Sequence, residues 1–139
     1  MSDNNSNSRN TKYFDSLKNS DNMVREVIKT AIENEQNLIV EGCYIPETYR
    51  DAFPESYLEN IKAVYITMSE DYLRNNADLV IGKASVIENR LEDDVDLERL
   101  IDCSKEFKEL GRTKSIPVLE IDKEFNEAEI LKRLKEILL

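Results

Sequence analysis

Apolar positions from residue 23 onward recur at helical spacing, with Met23, Val24, Val27, Ile28, Ala31 and Ile32 on one face and Ser20 or Asp21 ahead of them as a cap. The next apolar run, Leu38-Ile39-Val40, is continuous and ends at Glu41-Gly42. That pattern predicts a short buried parallel strand delivering an acid to the carboxyl end of a sheet. Pro46 and Pro54 punctuate the following stretch, where Tyr49, Phe53, Tyr57, Leu58 and Ile61 predict one or two short helices. Ala63 to Thr67 is rich in β-branched and aromatic residues and predicts a second strand, after which Ser69-Glu70-Asp71-Tyr72 reads as a helix cap and acidic first turn. The pattern weakens between Asn75 and Asp96, and Ala77 to Ile81 fits either a helix or a brief strand. Leu97, Leu100, Ile101, Ser104, Phe107, Lys108 and Leu110 follow a helix that Gly111 is placed to close in the left-handed conformation. Pro117 to Ile121 predicts a third strand. Asn126 and Glu129 form a capping box ahead of an amphipathic helix carrying Ile130, Leu131, Leu134, Ile137 and Leu138.

Helices alternating with short apolar strands predict the α/β class, a three-layer α/β/α arrangement around a short parallel sheet. Sites in such sheets form at the carboxyl ends of strands, so Glu41 to Pro46, Thr67 to Asp71 and Ile121 to Glu124 are expected to line a pocket. Residues 1–10 read MSDNNSNSRN and are expected to be a disordered polar tail, leaving 11–139 as a single α/β domain. The strands at Leu38, Val64 and Val118 are expected to form one sheet, with the first pairing directly with the second. A homodimer through an unpaired sheet edge is the alternative.

Composition narrows the function classes. With 19 Lys and Arg against 29 Asp and Glu, the net charge of -10 repels phosphate backbones and anionic lipid headgroups, so neither nucleic acid nor membrane is an expected partner. No apolar run approaches the roughly 20 residues of a membrane span, and a cytoplasmic location is expected. The chain has no histidine, which excludes Ser-His-Asp and Cys-His catalysis and imidazole-ligated zinc. Cys43 and Cys103 are too far apart in sequence for a CxxC pair and read as reduced small hydrophobes.

Acid-base or phosphate chemistry therefore falls to carboxylates, lysine, tyrosine and arginine. The sequence contains no G-x-x-x-x-G-K-[ST]; its nearest approach runs from Ala77 to Ala84, where Gly82-Lys83 lacks the first glycine and the final hydroxyl. Glu41, ending an apolar run, is a candidate magnesium ligand or proton acceptor, or else an acid holding the following turn. Arg74 and Arg90 can clamp phosphate bidentately, or pair with local carboxylates such as Glu70, Glu92 and Asp93. Glu92-Asp93-Asp94 with Asp96 lacks the spacing of an EF-hand loop and reads as a solvated acidic turn.

Taken together, NLIVEGCYIP (37–46), ITMSEDYLRNN (66–76), VIENRLEDD (86–94) and IPVLEID (116–122) resemble the downstream portion of adenylate-kinase-like P-loop kinases. The resemblance implies an incomplete P-loop kinase-like fold related to phosphotransferases that move the ATP γ-phosphate, with magnesium, to a nucleotide or small metabolite. Glu41 takes the place of the Walker-B-type acid and metal ligand, Arg74 and Arg90 those of the lid arginines that bind transferring phosphate. Lys83 and Arg9 are the accompanying cofactor-binding candidates, Arg9 from the acceptor side. Such kinases begin with a strand, the glycine loop and a helix, so the chain without that loop is expected to be inactive alone. The alternative function is a non-catalytic α/β protein-binding module whose acidic surface or sheet edge engages a partner.

Overall fold

A computed structural model describes residues 22–42, 45, 47–82 and 96–139. The chain divides into two compact units, Met1–Lys62 and Ala63–Leu139.

In the first unit the predicted amphipathic helix spans residues 22–33 (α1). Glu35 closes it in the left-handed region at φ 53°. The amide of Gln36 donates to the Ala31 carbonyl at 2.8 Å and that of Glu35 to the Ile32 carbonyl at 3.1 Å, the paired bonds of a Schellman turn. This turn folds residues 36–38 back beside the helix. The strand expected at Leu38 to Val40 is not formed: residues 36–42 carry no regular secondary structure, and Ile39 is 94% exposed. A continuous apolar run makes a strand only where a ladder partner satisfies its backbone and a core takes its side chains. A 3-10 helix at Tyr49–Ala52 leads through buried Phe53 and Pro54 into a single helical turn, α2 (Glu55–Leu58). The Tyr57 hydroxyl donates to Glu33 Oε1 at 2.6 Å, tying α2 to the end of α1.

The second unit is built on two parallel strands, β1 (Tyr65–Met68) and β2 (Val118–Ile121), in the register Tyr65 to Val118 and Met68 to Ile121. Parallel strands need a crossover connection. Its described helices are α3 (Glu70–Asn75), α4 (Ala77–Gly82) and α5 (Leu97–Lys114). Residues 77–82 thus take the helical of their two sequence readings. After β2, helix α6 (Glu127–Leu138) runs toward the end of the chain.

Of the three caps read from sequence, the one at Ser20 or Asp21 lies outside the described residues, and the other two form. Ser69 Oγ accepts from the Tyr72 amide at 3.1 Å, and Asn126 Oδ1 accepts from the Glu129 amide at 3.1 Å, each satisfying an otherwise orphaned donor. The core gathers Tyr72, Leu119 and Ile121, with Ile130, Leu134 and Ile137 of α6 and Val64, Met68 and Val80 packed against them. Leu119 is completely buried, which removes from water a side chain whose burial is worth about 2 kcal/mol.

Strand alternation puts Tyr65 and Thr67 on one face of β1. Tyr65 meets Phe107 of α5 edge-to-face with ring centroids 5.1 Å apart. Gly111 does not close α5, as expected from sequence, but lies buried within it, and the helix runs on to Lys114. Ser115 closes the helix instead, at φ 55°, and the Ile116 amide donates to the Gly111 carbonyl at 2.9 Å. A side chain at position 111 would collide with β2, so the absence of one is what lets helix and strand approach. The observed class is mixed α/β with a short parallel sheet, two-stranded among the described residues.

Candidate functional site

At the carboxyl ends of β1 and β2 the backbone and one hydroxyl lock the two strands together. The Ser69 amide donates to the Ile121 carbonyl at 2.9 Å, and Ser69 Oγ donates to the Asp122 carbonyl at 3.2 Å while capping α3. Thr67 and Ile121, expected to line an opening there, are instead buried in packing. The Thr67 hydroxyl makes no hydrogen bond among the described residues.

Arg74 projects from the last turn of α3 into a chain of charges linking α3 to α5. Its NH1 lies 2.8 Å from Glu98 Oε1, its NH2 3.3 Å from Glu98 Oε2, and its Nε and NH2 lie 3.1 and 2.9 Å from Glu70 Oε1. Lys105 Nζ reaches the other Glu70 oxygen at 2.7 Å. Two carboxylates therefore hold the guanidinium, and their hydrogen bonds raise its pKa above an already high value. Lys105, first, and Arg74 hold the Glu70 carboxyl below its ordinary value, and Glu70 in turn raises Lys105. The arrangement is that of an exposed ion-pair network, the second of the two readings its sequence surroundings allowed.

Glu41 is exposed and lies in the irregular segment of the first unit, not at the end of a strand; it takes part in an interaction within the chain. Arg9, Lys83 and Arg90 lie outside the described residues, as does Cys43, while Cys103 is exposed on α5. Glu41 and Arg74 belong to different units. Among the described residues no three His, Cys, Asp or Glu side chains gather as a metal site, and no helix is long and apolar enough to cross a membrane.

Open depressions among the described residues include one in each unit. In the second unit, about 500 Å3 lies between α5 and the approach to β2, lined by Lys105, Lys108, Arg112, Gly111, Ile116 and Val118, with Glu109. The lysines recur at one helical turn along α5, a signal present in the sequence, and the left-handed turn at Ser115 brings Ile116 and Val118, only a few residues further on, back to complete the wall. Each cation there already has a carboxylate: Lys105 has Glu70, Lys108 has Glu120 at 2.9 Å, and Arg112 has Glu109. Arg133 of α6 donates to the Glu120 carbonyl at 3.2 Å, occupying a backbone acceptor of β2. In the first unit, about 380 Å3 lies between α1 and the returning segment, lined by Met23, Val27, Ala31 and Leu38 with polar Glu26, Thr30, Gln36 and Asn37. Met23 is 71% exposed, Val27 50% and Leu38 46%. Helical periodicity placed the first two residues on the apolar face of α1.

Comparison of the chain with protein-family models, with curated proteins and with solved structures finds no match in any of the three.

Proposed function

We propose that this chain is a cytoplasmic, non-catalytic α/β protein-binding module on a scaffold related to the adenylate-kinase-like P-loop kinases, with the three-layer arrangement of that class. The observation that carries the binding reading is the apolar surface of the first unit, where Met23, Val27, Leu38 and Ile39 stand exposed around and beside one depression. Keeping such side chains in water forgoes the gain that burial brings, and exposed apolar patches rimmed by polar residues mark interaction sites. Arg74 supports the same reading, since a guanidinium engaged by Glu70 and Glu98 must break those bonds before it can stabilise a transferring phosphate.

A second reading, a phosphotransferase using ATP and magnesium on a nucleotide or small metabolite, is favoured by one observation. β1 runs directly into the Ser69 cap of α3, and α3 brings Arg74 to the surface within two turns of the strand end.

Calorimetry with ATP-Mg separates the two. The binding module takes up no ATP-Mg at concentrations up to about 1 mM, the scale of a 4 kcal/mol interaction. Stoichiometric binding at a micromolar dissociation constant, about 8 kcal/mol, or transfer of phosphate to a nucleoside monophosphate, overturns it in favour of the second.

A further inference from the structure

We infer that the depression along α1 receives a cationic amphipathic helix from a partner protein, an inference that rests on the protein-binding reading. The walls set the shape of the guest. Met23 and Val27 are one helical turn apart and form an i, i+4 ridge; Ala31, buried, continues it, and Leu38 faces it from the segment turned back through Glu35. A row with this spacing interdigitates with the corresponding row of another helix. The methionine adapts its shape to the side chain that enters.

Charge sets the chemistry of the guest. Among the described residues Glu26 is the one charged residue in the lining, and it is exposed. Its ion pairs among the described residues are long, 3.5 Å to Arg25 and 3.7 Å to Lys29, so an incoming lysine or arginine displaces them at little cost. The whole chain carries a net charge of -10, which draws a basic partner in and opposes a second copy of itself. Three exposed apolar side chains are also a small contact beside the 20–30 residues per side, roughly, of a stable dimer interface. They suit the apolar stripe of a single helix.

The probe is a fluorescent synthetic peptide of about 18 residues made of leucine and lysine, with leucines at i, i+3, i+4 and i+7 spacing, beside a scrambled peptide of the same composition. Anisotropy at about 0.15 M salt gives affinity, and backbone amide shifts give the location. The patterned peptide is expected to bind at least about tenfold more tightly than the scrambled one, with Val27→Lys costing about tenfold and Glu26→Lys about threefold. Amide shifts are expected to concentrate between residues 23 and 38. Val27 and Met23 are exposed, so neither substitution removes core packing; Met23→Gln is the second variant, to be used if Val27→Lys alters the circular dichroism spectrum.

Equal binding of the two peptides, or affinity unchanged in both Val27→Lys and Met23→Gln, overturns the inference. Patterned binding that maps to residues 63–139 overturns it while leaving the protein-binding reading intact, whereas micromolar ATP-Mg binding sinks that reading itself. Sedimentation showing a dimer that Val27→Lys dissociates identifies a second copy as the occupant and refutes the choice of a basic partner.

Discussion

Replacing Gly111 with alanine tests how closely α5 rests on β2. In an exposed helix interior the change is favourable by about 1 kcal/mol, because alanine gives up less backbone entropy on folding. Here the added Cβ would lie 2.2 Å from Val118 Cγ2 and 2.9 Å from the Ile116 carbonyl oxygen. Carbon atoms in contact normally sit about 3.5–4.0 Å apart, so the overlap with Val118 exceeds an ångström. Rotating Val118 relieves only that contact, since the carbonyl belongs to the backbone that leads from the left-handed turn at Ser115 into β2. Overpacking of this kind costs about 1–3 kcal/mol, and the backbone component places Gly111→Ala at the upper end. The net expectation is a loss of about 2 kcal/mol, a fall in melting temperature on the order of 10 °C for a unit of this size.

Urea unfolding followed by circular dichroism checks it, with the midpoint falling and the slope unchanged. Combining Gly111→Ala with Val118→Ala makes room for the new methyl group, so the double variant should lose less stability than the two single losses added together. A Gly111→Ala protein as stable as the parent, or more so, refutes the reasoning: helix propensity would then outweigh a contact that yields.

Ser69→Ala removes both the cap on the Tyr72 amide and the bond to the Asp122 carbonyl; a loss of about 1 kcal/mol in urea is expected, and an unchanged midpoint counts against the cap. Because Lys105 and then Arg74 lower the folded pKa of Glu70, its contribution is complete above the unfolded value of about 4.3 and disappears as pH falls through the folded value. Glu70→Gln should therefore flatten the acid limb of a stability-against-pH curve, and parallel curves for the two proteins would show that the network contributes nothing there. Tyr57 runs the other way: its hydrogen bond to Glu33, and then burial, raise the folded pKa, so its contribution is complete below about pH 10 and is lost as pH rises through the folded value. Tyr57→Phe is expected to lose stability at neutral pH and show a shallower alkaline limb, and identical alkaline limbs would contradict the assignment.

The features read correctly from sequence are those whose cause is local. Asn126 and Ser69 cap helices because a side-chain oxygen reaches an amide three residues on, whatever surrounds it. The amphipathic spacing of α1 and α6 likewise specifies a helix within a few turns. The site was less accessible for the same reason. Glu70 and Arg74 are four residues apart and their pairing is local, but Glu98, which completes the clamp on the guanidinium, stands 24 residues from Arg74 and reaches it only through the crossover between the strands.

The amino-acid order of this protein therefore determines its helices, their caps and its parallel α/β character, because turns, amide-capping oxygens and apolar periodicity act over a few residues. Tertiary structure alone decides the rest. Leu38-Ile39-Val40 has the composition of a buried strand, yet strand formation requires a partner ladder that no local sequence supplies, and in its place the run leaves Ile39 in solvent. Gly111 has the composition of a helix terminator, yet β2 presses against its Cα, so its missing side chain serves packing and the left-handed turn passes to Ser115. Both outcomes depend on what the chain meets across space, where identical residues acquire different neighbours and therefore different free energies.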